Sequence, residues 1–332
     1  MLKGEEFRDD LRRRGLAPTK IKELTRLHHG KAAWAVVETV AVVAVCVVVS
    51  LTYWHVLVVV PAMVIIASRQ QAFFVLAHDA AHYRMFRQRW LNDLVGRLCG
   101  TVVGITMCTY RVVHRLHHNH LYESRDPDIP LHGGYPRGRL YLLRKLAKDL
   151  AGFTAWKTYG YFFGAPAINK DRDTASRPLD DTAPALRQAA RRDRWLVAAF
   201  HVGAPAVAFA AGYGIEYVVL WALPLVTILQ PILRFRAICE HGAVTDFHSP
   251  LTAARTNLCP PWLAWALFPH HVNYHIEHHM YPSIPHYNLP ACHQALMAEG
   301  ALDGAEVRRF QDTVGLVVAE PGSATVHHAG TG

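Results

Sequence analysis

Residues 32–54 read AAWAVVETVAVVAVCVVVSLTYW and decide the fold. Apart from Glu38 and a few hydroxyl groups, this stretch is apolar. A helix of this length is about 34 Å long, which is enough to cross the hydrocarbon core of a bilayer. A second stretch follows at 55–77, apolar except for polar residues at 68–71. Together the two stretches predict a membrane hairpin, and the second helix is expected to continue beyond the bilayer.

Two more apolar stretches, 194–213 and about 215–235, are separated by a very short turn and predict a second hairpin. A large soluble core could also bury four such helices, but four runs of nearly twenty residues favour a membrane. Segment 91–110 is expected to lie at the membrane surface or to be re-entrant, and segment 260–268 is expected at the membrane surface. The predicted fold class is therefore an all-α integral membrane protein, with four transmembrane helices in two hairpins and a cytosolic, histidine-rich helical cap.

The composition of the 332-residue chain agrees with a membrane protein, since 51% of the residues are hydrophobic and only 18% are charged. The formal net charge is +9, and basic groups flank the predicted spans at 12–14, 187–194 and 234–236. This asymmetry predicts a multi-pass topology with both termini and the histidine motifs in the cytosol. Basic stretches with interleaved aromatic residues are lacking, so nucleic acid is not an expected partner. The 6 cysteines form no CxxC pair, which argues against a zinc ribbon.

Three histidine motifs, HDAAH, HRLHH and HIEHH, stand out among the 22 histidines, and one more candidate directly follows the fourth predicted span. The nine candidate metal ligands are His78, His82, His114, His117, His118, His241, His275, His278 and His279. Residues i, i+3 and i+4 share one face of a helix, so each motif directs its imidazoles the same way. Neutral imidazole is the commonest metal ligand, and crowded histidines repel one another when protonated. Nine ligands exceed one four-coordinate zinc and suit two metals, although imidazole alone does not choose among zinc, copper, iron and nickel.

Three polar residues in or beside the motifs, Asp79, Glu277 and Asn273, are candidates for hydrogen bonds that orient the ligands, with surface exposure as the alternative. No catalytic residue is predicted beyond the metal ligands. For Asp126 and Asp128, helix capping is favoured over a bond to the second motif. The roles of His120, His270 and His271 stay open. Other histidines are expected at the surface or the lipid interface: His28, His29, His55, His132, His201, His248, His286, His293, His327 and His328.

The segments HDAAH, HRLHHNHLYESRDPD and NYHIEHHMYPSIPHYNLP resemble the three histidine boxes of the membrane fatty acid desaturase superfamily, over about residues 55–295. The resemblance implies that the nine histidines hold two iron ions at the cytosolic ends of the spans. It also implies that dioxygen is the co-substrate and that a fatty acyl chain or another lipid is oxidised. The expected domains are a cytosolic segment 1–31, a desaturase-like membrane domain 32–300 and a partly disordered tail 301–332.

Desaturation is the favoured reaction, but the three-residue spacing in HDAAH and the form NYHIEHH are also similar to other members of the superfamily. Carotenoid ketolation, fatty acid hydroxylation and oxidative decarboxylation to a terminal alkene therefore stay open. The sequence has no fused haem domain and no iron–sulfur cysteine pattern. A separate electron donor, such as ferredoxin with its reductase, is therefore implied. Two other classes, a metal transporter and a zinc-containing receptor, are alternatives; a transporter needs more ionisable residues inside its spans.

Overall fold

The structure, a computed structural model, describes residues 15–322 except 124, 166, 170–173, 177–181, 245 and 248. The basic group at 12–14, the disorder expected for 323–332, and His248, His327 and His328 lie outside these residues. The described part is mostly helical, which confirms the predicted all-α class.

The secondary structure of the described residues consists of α-helices, a few short helical turns of other types and four short strands. The α-helices are α1 Pro18–Leu24, α2 His29–Thr52, α3 Val56–Ala81, α4 Arg89–Val102, α5 Met107–Asn119, α6 Ile129–His132, α7 Arg139–Leu150, α8 Ala155–Phe162, α9 Pro184–Ala210, α10 Gly214–Tyr217, α11 Leu223–Val226, α12 Leu229–His241, α13 Pro250–Ala253, α14 Pro261–Leu267, α15 His275–Met280, α16 Leu289–Ala298 and α17 Phe310–Val318. A π-helical turn at Val218–Ala222 joins α10 to α11, and 3₁₀ turns lie at Pro269–His271 and His286–Asn288. Strands β1 Ala167–Asn169 and β2 Thr174–Ser176 pair antiparallel, whereas β3 Thr256–Leu258 and β4 Val307–Arg309 pair in parallel.

Three helical segments of the described part are long and apolar enough to cross a membrane: His29–Thr52, Val56–Ala81 and Gly214–His241. The first two form the predicted hairpin, and the third contains the predicted span at 215–235. The predicted span at 194–213 lies mostly within α9, where Arg194 ends a strongly charged section. The apolar part of α9, residues 195–210, has 16 residues, whereas a span needs about 20. The fourth span therefore stays a prediction.

Helix α3 changes its surroundings along its length. Leu57, Val60 and Val64 in its first half are exposed, as expected for side chains that face lipid. Every residue from Ile66 to Ala81 is buried. Helices α2, α4, α5 and α12 surround this second half, so the first histidine motif at its end lies inside the protein.

The ends of the described chain pack on the third histidine motif. Leu16 lies just before α1 and Leu24 is its last residue. Both belong to a buried apolar cluster with Ile276 of α15. Ala301 and Leu302 belong to the same cluster. Strand β4 then pairs with β3, just upstream of α14 and α15. Residues 301–309 are thus part of the structure around the motif.

Candidate metal centre

The second motif lies on α5, and opposite faces of this helix contact different parts of the protein. Cys108 and Val112 pack against Ala190 of α9, whereas His114 and His117 on the other side of the helix are buried and His118 is partly buried. The first turn of α5 has free backbone N–H groups, and Asp193 of α9 accepts a hydrogen bond from the Cys108 amide at 2.7 Å. Arg97 of α4 donates to the same carboxylate at 2.9 Å. The buried Asp193 therefore fixes α5, and with it the second motif, between α4 and α9.

The other candidate ligands also occupy helix ends. His78 lies in the last turn of α3, and His82 is the residue that ends this helix. His241 is the last residue of α12. The third motif forms the short helix α15, in which all six residues are buried. Because each side chain comes from a helix end, four separate segments can direct imidazoles into one space.

Five of the nine predicted histidines form one set, in which every residue offers a ring nitrogen within 4.8 Å of the others: His78, His82, His114, His118 and His278. His278 is central to this set. Its Nε2 atom lies 3.0 Å from Nε2 of His78, 2.9 Å from that of His118 and 3.4 Å from that of His114. Residues 200 positions apart in the sequence therefore meet within contact distance.

The remaining four predicted histidines form a second set, His117, His241, His275 and His279, which is buried throughout. The Nε2 atom of His241 lies 2.8 Å from Nε2 of His275 and 3.2 Å from Nε2 of His117. The two sets adjoin, since the rings of His118 and His279 stack with centroids 4.3 Å apart. The nine histidines thus form two neighbouring groups inside the protein.

The chemistry of these donors fits bound metal ions. A neutral imidazole has one N–H and one lone pair, so crowded Nε2 atoms cannot all be paired by hydrogen bonds. His82 Nε2 and His279 Nε2 are buried with no hydrogen-bond partner among the described residues. Burying unpaired polar atoms is unfavourable, whereas a cation at the centre of each set would use these lone pairs. The described residues of the two sets include no thiolate or carboxylate ligand.

Hydrogen bonds at Nδ1 orient two of the histidines. Nδ1 of His117 lies 3.0 Å from Oδ1 of Asp126, and Nδ1 of His241 lies 3.0 Å from the carbonyl oxygen of Ala253. Because carboxylate and carbonyl oxygens accept hydrogen bonds, these contacts place the proton on Nδ1. They leave Nε2 of both rings as the electron-pair donor toward the second set.

The capping prediction for Asp126 and Asp128 is wrong. Asp126 bonds to His117, and its carboxylate also accepts from the backbone amides of Tyr122 and Asp128. Asp128 precedes α6 but makes no side-chain capping bond; its Oδ1 accepts from Tyr161 at 2.8 Å. Pro130 at the second position of α6 has no N–H, which removes one of the two amides that a cap normally binds.

Burial controls protonation in the histidine sets. It lowers the pKa of His82 to about 3 and holds the pKa of His278 and His279 well below its usual value. Burial also disfavours the charged form of His117, but the surrounding carboxylates of Asp126, Asp128 and Glu240 together raise the pKa of His117 to about 9, so its Nε2 can bind a metal only after losing a proton. Most of the imidazoles outside the apolar helices are therefore neutral at pH 7, which is the form that binds metal.

The three other polar candidates have different surroundings. Asp79 Oδ1 lies 3.4 Å from Nδ1 of His78, while its Oδ2 accepts from His286 Nδ1 at 2.7 Å. Glu277 is buried but bonds to Thr256 and His293, which are outside the two histidine sets. The amide of Asn273 donates to the carbonyl of Asn257 at 3.1 Å. The structure thus brings Asp79 to a candidate ligand, and it places Glu277 and Asn273 on the scaffold around the third motif.

Several histidines expected at a surface are buried. The ring of His132 lies 4.9 Å from that of His241, and together with His117 and Asp126 it forms a further group of possible ligands. His286 is buried against Asp79, and the partly buried His293 bonds to Glu277. These positions carry little signal in the sequence, because each is an isolated histidine whose partner lies elsewhere in the chain. His120 bonds to Glu123 at 2.9 Å and belongs to neither set.

Replacing Asp126 with Asn is expected to weaken metal binding by about 10- to 100-fold, because a charge-assisted bond to a candidate ligand is lost. Competition with a chelator measures this affinity. Glu123→Gln is the matched control, since Glu123 also accepts from a histidine in the same loop, but from His120. Equal effects of the two changes would contradict the role given to Asp126.

Comparison with known proteins agrees with this geometry. Residues 52–311 match the model of the family described as Fatty acid desaturase. The chain is 26% identical to the dihydrorhizobitoxine desaturase of Bradyrhizobium elkanii over 233 residues, which cover 69% of this chain and 64% of that protein. It is 25% identical over 246 residues to the sn-1 acyl-lipid omega-3 desaturase (ferredoxin) of Nostoc sp. (strain 36), covering 68% and 63%.

A third relative is named for a different reaction. The beta-carotene ketolase of Paracoccus sp. (strain N81106 / MBIC 01143) is 25% identical over 221 residues, which cover 66% of this chain and 72% of that protein. The chain spans less than two thirds of the length of the two desaturases.

Proposed function

Because the chain belongs to the fatty acid desaturase family, we propose that it is a membrane-bound, non-haem di-iron enzyme that uses dioxygen to desaturate a fatty acyl chain. Family membership makes it an oxidoreductase of lipid metabolism. The observation that carries the finer proposal is the meeting of nine histidines in two adjoining buried sets. Such a donor set is too large for one zinc and is suited to two metals.

We assign one iron to each set. The first iron is held by His78, His82, His114, His118 and His278, and the second by His117, His241, His275 and His279. When bound, the two irons supply the reductive activation of dioxygen that the removal of hydrogen from an acyl chain requires. All ligands are imidazoles, which resist oxidation better than thiolates.

The protein around the two sets has three tasks. Its buried position keeps water away from the reacting atoms, and this protects a strongly oxidising reaction from side reactions. Hydrogen bonds at Nδ1 of His117 and His241 keep Nε2 of both rings directed inward. Helix α3 joins the lipid-facing region to the first motif, so an apolar substrate from the bilayer is the class that can approach.

The proposal includes four spans with the histidine motifs on the cytosolic side, where a soluble carrier can deliver electrons. A ferredoxin is the donor class that we favour, and the name of the Nostoc relative supports it. The predicted cytosolic surface is basic and complements an acidic carrier.

Profiling the lipids of cells that express the chain tests the reaction. We expect acyl chains with a new double bond, and we expect none in cells that express the His278→Ala variant. New hydroxyl groups, terminal alkenes or keto-carotenoids would show that the reaction is hydroxylation, decarboxylation or ketolation instead of desaturation. The ketolase relative makes ketolation a specific alternative. An unchanged profile, together with one zinc and no iron per purified chain, would contradict the enzyme proposal and favour a receptor.

A further inference from the structure

The polar residues at 68–71 interrupt the apolar stretch of α3, and all four are buried. Buried polar groups in an apolar helix are unfavourable unless they are paired, and they are retained for a specific task. Three of them, Ser68, Arg69 and Gln71, bond to α14, almost 200 residues later in the chain. These three residues therefore form a polar contact between α3 and α14.

Helix α14 ends at Leu267, so the carbonyl groups of its last turn lack partners within the helix. Ser68 Oγ donates to the carbonyl of Ala266 at 2.7 Å, and Gln71 Nε2 donates to that of Leu267 at 2.8 Å. The guanidinium of Arg69 donates to the carbonyl of Trp265. The Ala264 carbonyl accepts from the Phe268 amide at 2.8 Å. Side chains of α3 thus satisfy three of the four terminal carbonyls of α14.

The charge of Arg69 is paired in this contact, while its Nε has no hydrogen-bond partner among the described residues. Its Nη1 lies 3.1 Å from Oε1 of Glu38 on α2, and its guanidinium lies over the ring of Trp265 at 3.8 Å. The indole N–H of Trp265 donates to the same Glu38 oxygen at 2.8 Å. The guanidinium therefore has its partners within the protein, which argues against a binding site for the acidic end of a substrate.

The contact lies between two histidine motifs. Gln71 precedes His78 by seven residues on α3, about 10 Å along the helix axis. On the other side, α14 leads through the turn Pro269–His271 into α15, which carries the third motif. His270 and His271 in that turn both have positive φ angles, 54° and 60°, which is unfavourable for side chains other than glycine. Such a turn needs a fixed segment before it to keep its conformation.

We propose that Ser68, Arg69 and Gln71, together with Glu38, hold α14 on α3 and thereby set the position of the third histidine motif relative to the first. They are positioning residues and do not touch the nine histidines. Their effect on iron binding rests on the proposed function, whereas their effect on the position of α15 does not.

Two neighbouring glutamines provide the test. Gln71 and Gln70 are both fully buried, and each donates its amide to one carbonyl, Leu267 for Gln71 and Trp221 for Gln70. Methionine has a similar length and removes the donor. We therefore compare Gln71→Met with Gln70→Met by amide hydrogen exchange of residues 261–280 in the purified, metal-free full chain.

In Gln71→Met, exchange of residues 261–280 is expected to become about three- to tenfold faster, as the loss of one buried hydrogen bond implies. In Gln70→Met this segment should keep the wild-type rate. Ser68→Ala, a milder change at the same contact, should also accelerate exchange there. Equal acceleration in both glutamine variants, or none in Gln71→Met and Ser68→Ala, would overturn the proposal.

Iron affinity, measured by chelator competition, gives a second readout. We expect about a tenfold loss in Gln71→Met and no loss in Gln70→Met, as for a residue that supports metal ligands from outside the ligand set. Loss of affinity in both variants would overturn the link between this contact and iron binding. If the wild-type chain binds no iron, the proposed function fails, while the exchange comparison still decides the role of the contact.

Discussion

The variant His278→Ala is expected to lose more than about 100-fold in oxidation rate and to keep at most about one of two irons per chain. The reason is the central position of His278, whose Nε2 atom lies within 3.4 Å of the Nε2 atoms of three other histidines. Removing this ring takes one donor from the first set and leaves a cavity between α3 and α5. Metal analysis of the purified protein and product formation in membranes measure the two effects.

His120→Ala is the matched control for this prediction. His120 lies two residues after the second motif but bonds to Glu123 and belongs to neither histidine set. The control variant should keep wild-type iron content and activity. Wild-type iron content in His278→Ala, in a protein that inserts normally into membranes, would refute its assignment as a ligand.

The variant Arg255→Met is expected to destabilise the protein by about 3 kcal/mol, because it breaks an ion pair of a fully buried arginine and removes a hydrogen bond from the Gly242 carbonyl. Arg255 is fully buried and donates to the carbonyls of Cys239 and Gly242 at 3.2 and 2.9 Å. Its guanidinium also pairs with Glu306, 3.0 Å away. These bonds hold the end of α12, where His241 lies, so iron content should fall as well.

Thermal unfolding in detergent micelles measures the loss, with Arg308→Met as the control. Arg308 contacts the same Glu306 carboxylate at 2.8 Å but is partly exposed, and such pairs contribute about 1 kcal/mol or less. If both changes lowered stability equally, the bonds of Arg255 to the carbonyls of Cys239 and Gly242 would not support α12 as the geometry indicates.

The sequence predicted those features that depend on local patterns. Long apolar runs identified α2, α3 and the segment Gly214–His241, and family membership confirms the resemblance drawn from the three motifs. Helical spacing also brought the histidines of each motif to one face. It did not determine that the motifs meet, because that depends on packing between segments as much as 200 residues apart.

The features that the sequence did not reveal are contacts between distant polar residues. Asp126 looked like a helix cap, yet it bonds to His117. Asp128 precedes α6 without capping it, and the missing N–H of Pro130 explains this only once the start of the helix is known. The polar residues at 68–71 resembled an interruption of a span, because Ser68 and Gln71 bond to backbone carbonyls of α14. Backbone carbonyls are present at every position and leave no mark in a sequence.

The separation of the motifs along the chain has a consequence for how the protein matures. His118 leaves the ribosome about 160 residues before His279, which at ordinary translation speeds is roughly 10–30 s. Glu306, the partner of Arg255 at the end of α12, emerges later still. A nascent chain thus holds its early imidazoles without their later neighbours, so under the proposed function iron insertion would follow the synthesis of residues 275–306.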